Sequence, residues 1–287
     1  MADKIRMTDA DLTSFLSNQL PKLFAAALAL PMSRDVLMRH MTPLLAEYDR
    51  HHNWNNTDFN TNGERWFAQK VVPRSKYVVD IGANVGDWSQ LCLTLNNAIE
   101  IYCFEASPTT AQTLQNRFCA INNVHVFPLG LGEEDSVLEF HDHGADSGLS
   151  GFVSRVRSIG LSALRTLRAP CKRIVDIAEL AGIDTIDLIK IDTEGFEMPV
   201  IRGMVPWLTA RKVRLIQFEY GGTWIDAHEF LSDAVALFRE YGYMVGRLMP
   251  ESIAWIDRFD HRRYENFKYS NFVACSSRTD ASAYQLD

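Results

Sequence analysis

The chain has 287 residues, 47% of them hydrophobic and 23% charged, which suits one ample domain carrying an extension. Its formal charge is -7, with acids and bases mixed along its length. That balance lacks the basic footprint of a nucleic-acid binder and gains nothing from an anionic membrane surface.

Asp9 to Tyr48 reads as helical, with Leu12, Phe15, Leu16 and Leu20 at near-helical spacing and breaks at Pro21 and Pro31. Its longest apolar tract, Leu23 to Leu30, is far shorter than the ~20 residues of a membrane span. It also begins too far into the chain for an ordinary signal peptide, so a soluble, cytoplasmic protein is expected. Cys92, Cys103, Cys119, Cys171 and Cys275 form no CxxC pair and no metal spacing, which points to free thiols. The polar stretch His51 to Gly63 reads as a hinge. The expected organisation is a helical extension over residues 1–62, a main domain over 63–276 and a short tail over 277–287. The extension would be a lid or a dimer contact.

From Tyr77 the texture changes to strands alternating with helices. Trp66 to Val72 is a short helix stopped by Pro73. "YVVDIG" is a first strand, followed by a helix from Trp88 to Asn96. "IEIYCFE" is a second strand, and "SPTTAQTLQNRFCA" a helix opened by a Ser cap and a Pro. "VHVFPLGL" reads as a third strand and "SVLEFHD" as an antiparallel or edge strand. After Gly144 comes a Gly/Ser-rich loop, then a basic amphipathic helical stretch from Arg157 to Arg168. "IDLIKID" and "RLIQFEY" are further core strands. A helix from Asp226 to Tyr241 and three closing strands complete the chain. The fold class is α/β: a doubly wound, Rossmann-like, mostly parallel sheet with an N-terminal helical extension. Ligands in such sheets bind beyond the carboxyl ends of the strands, where strand order reverses.

The first strand ends in Asp80, Gly82, Asn84 and Gly86. The dinucleotide fingerprint G-x-G-x-x-G is not met, and Asp87 stands where its third glycine belongs. The turn is tight, with bare backbone available to a ligand. An acid beside it repels phosphate and attracts a cation. A nucleoside with a positive far end fits, and S-adenosylmethionine is such a molecule. Glu105, about twenty residues further on and at the end of the second strand, is placed to accept hydrogen bonds from ribose hydroxyls. Ala106 adjoins it, and Leu129 and Gly130 would border the adenine.

"VVDIGANVGDWS", "CFEASP", "VFPLGLG" and "IDLIKIDTEGFEMPVIRGM" resemble the successive motifs of the FkbM family of S-adenosylmethionine-dependent methyltransferases, and "IQFEY" resembles that family's fifth-strand end. The resemblance covers about Gly63 to Tyr220. It implies a class I methyltransferase fold and methyl transfer, usually to a hydroxyl oxygen of a sugar, polyketide or related metabolite. Carried over, it puts Asp80, Gly82, Asn84 and Gly86 at the methionine end, Glu105 at the ribose, and Asp192 near the sulfonium and the acceptor. Lys190, Glu194 and Glu197 match the family block without assigned roles.

Methyl transfer to an alcohol needs alignment and a base or metal for the hydroxyl proton. The candidates are Asp192, Glu219, Glu194, His141 and His143. Asp192 and Glu219 end neighbouring strands, where the pair would bind Mg²⁺ or one would act as base with its pKa raised by the other. Glu197 is expected to charge a helix start. "SGLSG", Ser147 to Gly151, reads as a flap over the ligand. Trp224 would either wall the acceptor pocket or pack in the core. Two other readings stay open: an RNA or protein methyltransferase, disfavoured by "DTEGFE" after the fourth strand, and a cofactor-binding scaffold without turnover. The expected partner is a small-molecule hydroxyl acceptor, with no nucleic acid and with a homodimer as the assembly.

Overall fold

The computed structural model describes residues 34–144, 147–156 and 160–286, together with residues 18, 19 and 22. The apolar tract Leu23 to Leu30 therefore lies outside the described residues. Two compact units are present, Met1–His51 and His52–Asp287. In the first, helix α1 spans Arg34–His51 and accommodates Pro43 inside it. Among the described residues, no helix is long and apolar enough to cross a membrane.

The polar stretch after α1 was expected to go with the extension, but it folds with the larger unit. Asn53 Nδ2 donates to the carbonyls of Asn62 (2.8 Å) and Leu248 (3.2 Å), so the segment is stitched to a strand far away in sequence. Helix α2 (Glu64–Val71) follows and tightens into a 3-10 turn over Val72–Arg74, where Pro73 ends it.

The strands of the larger unit are β1 (Tyr77–Ile81), β2 (Glu100–Phe104), β3 (Val124–Phe127), β4 (Gly130–Leu131), β5 (Ser136–Asp142), β6 (Arg165–Lys172), β7 (Ile186–Ile191), β8 (Val213–Tyr220), β9 (Met244–Met249), β10 (Ser252–Trp255) and β11 (Ser270–Cys275). The main sheet runs β10-β9-β11-β8-β7-β1-β2-β3. From β8 to β3 the pairing is parallel, whereas β11 runs antiparallel between β8 and β9. β1 and β7 are buried on both faces, as strands covered by helices must be. Strand order reverses between β1 and β7, which opens a crevice at their carboxyl ends.

Helices α3 (Asp87–Leu95) and α4 (Pro108–Phe118) pack on one face. Helices α5 (Glu197–Gly203) and α6 (Leu231–Glu240) pack on the other. The N-terminus of α4 is capped as expected, with Ser107 Oγ accepting from Thr110 N and Pro108 in the first turn.

Four expectations change. "VHVFPLGL" splits at Pro128 into β3 and β4, because a Pro lacks the ladder N–H. β4 joins a separate three-stranded sheet, β4-β6-β5. The basic stretch read as a helix is in its described second half the start of β6, antiparallel to β5. Burial along the later part of β6 alternates, with Ala169 and Cys171 inside and Arg168, Pro170 and Lys172 outside, a period-2 pattern that basic residues mask. The helix expected over Asp226 to Tyr241 is two pieces, Thr223–Ala227 and α6, separated at His228, whose φ is +57°.

The fourth change is the C-terminal segment. It is not a loose tail: a helix over Arg278–Ala283 folds back, and Ala281, Tyr284 and Leu286 are buried among core residues. Leu286 is 1% exposed. Leu286→Ala should lower unfolding free energy by about 2–4 kcal/mol. Urea denaturation followed by tryptophan fluorescence checks this, and an unchanged midpoint would put the segment outside the core.

Candidate active site

Two adjoining spaces open at the crevice. The inner cavity, about 110 Å³, is walled by Ile81, Phe104, Leu131, Phe140 and Phe152, with Glu105, Ala106 and Gly130 at its edge. The outer cleft, about 790 Å³, is bordered by Glu64, Asp80, Asp87, Asp192, Glu194 and Glu219 against the two cations Arg155 and Lys190. Gly82, Asn84, Asp192 and Glu194 border both. The volume is in the range of ligand sites in α/β proteins.

The glycine turn is built by packing as much as by any ligand. The N–H groups of Gly82 and Ala83 both donate to the Phe104 carbonyl, and Asp192 N donates to the Ile81 carbonyl (2.9 Å). Those bonds bring the ends of β1 and β7 so close that a Cβ on Gly82 would stand 1.8 Å from the Asp192 carbonyl oxygen. Gly82 also has φ +79°, the region open to glycine. Gly86 has φ +88°, and a Cβ there would meet Phe118 and Leu114 of α4 at 2.5–2.6 Å. Gly86 borders neither space. Its expected place at the methionine end is thus corrected: it seats α3 against α4.

Asp80 is fully buried. Its Oδ2 accepts from Ser89 Oγ at 2.6 Å, and its Oδ1 has no hydrogen-bond partner among the described residues. Burial pushes its pKa up, and the Lys190 ammonium pulls against that. Glu105 sits across the turn. Its Oε2 accepts from Asn84 N (2.9 Å) and its Oε1 from Ser107 N (2.8 Å). Each oxygen keeps a further lone pair, and the residue borders the inner cavity. Burial raises its carboxyl to about 7, against the lowering pull of those two N–H groups.

Lys190 lies beneath the cleft, paired in register with Asp80 across β1 and β7. Its Nζ is 2.7 Å from Asp192 Oδ2. Burial opposes its charge, but Asp192, Asp80 and Glu64 together hold its pKa above the ordinary lysine value. Glu64 in turn accepts from Gln217 Nε2 and Asn62 Nδ2, both at 2.8 Å. Arg155 pairs with Glu194 Oε2. Glu219, 8% exposed, is pushed well above the carboxylate range by burial and then by Asp192 and Glu194. Glu197 does what its place at the start of α5 suggests: its carboxylate accepts from Thr193 N, Thr193 Oγ1 and Gly195 N, tying the loop that carries Glu194.

The structure therefore brings together Asp80, Gly82, Asn84, Glu105, Ala106, Gly130, Asp192 and Glu219. Leu129 is instead packed against the core and borders neither space. His143 also lies off both, its backbone N held by Ser150 Oγ (3.0 Å) and its Nε2 buried without a partner. It is not placed to take a proton from a ligand in the cleft. Trp224 is a core residue, 1% exposed against Phe218 and Tyr220. Ser147, Gly148, Ser150 and Gly151 do line the inner cavity, whereas residues 145 and 146 lie outside the described residues. Sequence reasoning missed Phe152 and Arg155. Phe152 packs on Phe140 and Phe196 and fills the space that Gly130 leaves. An aromatic directly after a glycine-rich loop was the available signal.

The methyltransferase FkbM domain matches residues 80–245, more than half of the chain. The chain belongs to the FkbM methyltransferase family. Several known proteins are similar to it at a distance. The 2-O-methyltransferase NoeI of Sinorhizobium fredii is 28% identical over 154 residues, which are 50% of this chain and 62% of NoeI. The hexuronic acid methyltransferase AglP of Haloferax volcanii is 23% identical over 175 residues, 58% of this chain and 69% of AglP. The FkbM methyltransferase structure from Methylobacillus flagellatus aligns with 70% of this chain and 43% of its own, at 16% identity and a TM-score of 0.43. The chain thus spans about six tenths of the length of NoeI. In this FkbM protein the block Lys190 to Glu197 is the part that carries Asp192 and Glu194 into the cleft.

Glu105 can accept from both hydroxyls of a diol, one at each oxygen, only as a carboxylate, because protonation turns one oxygen into a donor. With its pKa raised to about 7, protonation competes with binding as pH falls. Affinity for S-adenosylhomocysteine should drop about tenfold from pH 8 to pH 6. In Glu105→Gln the affinity should be weaker at pH 8 and flat across that window. Calorimetric titration at several pH values checks both, and an unchanged slope in the variant would remove Glu105 from the site.

Proposed function

We propose that the protein is an S-adenosylmethionine-dependent methyltransferase acting on a hydroxyl oxygen of a small molecule. The observation that carries this is the buried carboxylate of Asp80, with one oxygen unpartnered, set across the glycine turn from Glu105 at the switch point of the sheet. An orphaned acceptor in that position fits an ammonium and rejects a phosphate. The fit extends along the crevice: Asp80 and Asn84 would hold the methionine end, Glu105 the ribose, and the walls of the inner cavity the adenine. When bound, S-adenosylmethionine supplies a methyl group on a sulfonium, already a good leaving group.

The chain's own residues then have two tasks. The first is alignment, supported by the rigid ends of β1 and β7 and by the loop that Glu197 ties down. The second is the acceptor proton. A hydroxyl has a high pKa, so a nucleophilic oxygen needs its proton taken or weakened. Asp192 and Glu219 stand at the ends of neighbouring strands on the outer cleft and would do this, as a base or through a divalent cation. An oxygen acceptor agrees with the name of NoeI, a 2-O-methyltransferase. A cytoplasmic, small-molecule role without nucleic acid belongs to the same reading.

Calorimetry with S-adenosylhomocysteine should give saturable heat, and Asp80→Asn should weaken it about tenfold or more. Transfer of labelled methyl to a panel of sugars and polyketide alcohols should yield an ether product. Asp192→Asn should slow that transfer about a hundredfold. No heat with the wild-type chain, and no labelled product from any alcohol, would overturn the reading.

A further inference from the structure

One carboxylate oxygen from each of Asp192, Glu194 and Glu219 lies within 4.8 Å of the others. The three residues come from two separate places in the chain. Asp192 and Glu194 follow β7, and Glu219 ends the neighbouring strand β8. All three border the outer cleft.

Two of the three have a cation partner and the third has none among the described residues. Lys190 engages Asp192 through Oδ2, which leaves Oδ1. Arg155 engages Glu194 through Oε2, which leaves Oε1. Glu219 has neither a hydrogen bond nor an ion pair among the described residues, although it is more than nine-tenths buried and borders the cleft. A carboxyl group so largely buried loses most of its hydration, and no described side chain replaces it there. The same side chain removed from the cluster would leave two satisfied ion pairs. Its presence there therefore calls for a ligand that interacts with carboxylate oxygens.

We propose that Asp192, Glu194 and Glu219 form a site for a hard divalent cation of the Mg²⁺ or Mn²⁺ class. Such ions take oxygen ligands at about 2.0–2.1 Å, which puts two ligand oxygens on one ion about 3–4 Å apart. One oxygen from each of the three, within 4.8 Å of the others, is within a small side-chain adjustment of that spacing. Partial coordination by protein, with the remaining positions open to water or substrate, is the usual habit of Mg²⁺. An ammonium group on the acceptor is the competing occupant. Three convergent carboxylates around one point favour the metal, since an ammonium needs only hydrogen-bond acceptors and no charge compensation of that density. In the proposed reaction, on which this use of the site rests, the ion would lower the pKa of an acceptor hydroxyl bound to it.

The test uses the full chain freed of metal by chelation, titrated with Mn²⁺ and followed by the paramagnetic signal of the free ion. One saturable site is expected. Glu219→Gln should weaken it about tenfold or more, because the amide keeps the shape and removes the charge. Glu251→Gln, an exposed control, should bind as the wild type does. Circular dichroism establishes that each variant is folded. If Glu219→Gln fails to fold, Asp192→Asn serves in its place with the same expected loss. Absence of a saturable site, or Mn²⁺ binding that neither variant changes, overturns the proposal. S-adenosylhomocysteine binding is measured separately. Mn²⁺ bound without it would leave the site standing and remove the methyl-transfer reading, and the converse would remove the metal alone.

Discussion

The ammonium of Lys190 is the group on which the crevice depends. It sits one pair before the end of the β1–β7 register, directly opposite Asp80, and it is almost completely shielded from water. An isolated charge there would be untenable. It persists because Asp192 holds it at 2.7 Å and because Asp80 and Glu64 face it from two other elements. Taking one partner from a buried ion pair costs about 3–5 kcal/mol, since the other charge stays behind. Lys190 thus lets several carboxylates share one small volume. Without it Asp80 and Asp192 at the strand ends and Glu64 at the start of α2 would repel one another uncompensated.

Convergence has a steric side as well. Beyond Lys190 the two strands approach until the Asp192 carbonyl fills the space where a side chain on Gly82 would be. The turn must therefore be glycine before any ligand is considered. Gly86 is required by the rings and methyls of α4 in the same way. A motif read as ligand-facing is in large part the record of how tightly two strands and two helices meet. This also accounts for the position of Asn84. With Gly82 and Gly86 absorbing the tight contacts, Asn84 is left to offer its N–H to Glu105 and its surface to both spaces.

The parallel core was legible because strands buried on both faces leave short β-branched runs, and "YVVDI" and "IDLIKI" are such runs. The acids at their ends were legible for the same reason: a charge that terminates an apolar run lies at a strand end, and strand ends of such sheets face the crevice. The second sheet was not. β6 carries three basic residues, Arg165, Arg168 and Lys172, and its early side chains are exposed, so its alternation is weak until Ala169. Arg155 and Phe152 were hidden differently. Each acts through a partner distant in sequence, Glu194 for one and Phe196 for the other; the glycine-rich loop before Phe152 is a local cue to its place, but neither partner is encoded locally. His143 drew attention because a histidine beside an acid looks like chemistry; its backbone N is held by Ser150 Oγ, and it is not among the residues that border the cleft.

The two spaces differ in kind, and the difference divides the work. The inner cavity is aromatic and aliphatic, with Glu105 as its only carboxylate away from the shared wall. The outer cleft is ringed with carboxylates. A cavity of the first type rewards a flat, uncharged ring through dispersion and burial. A cleft of the second type stabilises positive charge and weakens the proton of a nearby hydroxyl only if its own charge is matched. Asp192 and Glu194 stand on the wall common to both. Under the proposed reading a methyl group crosses at that wall, from a cationic sulfur toward an oxygen that must become a nucleophile. Asp192 is bound to Lys190 and Glu194 to Arg155 through one oxygen each, so each has only its other oxygen to offer. Glu219 alone has no cation of its own, and it is the residue on which the difference between a base and a metal ligand turns.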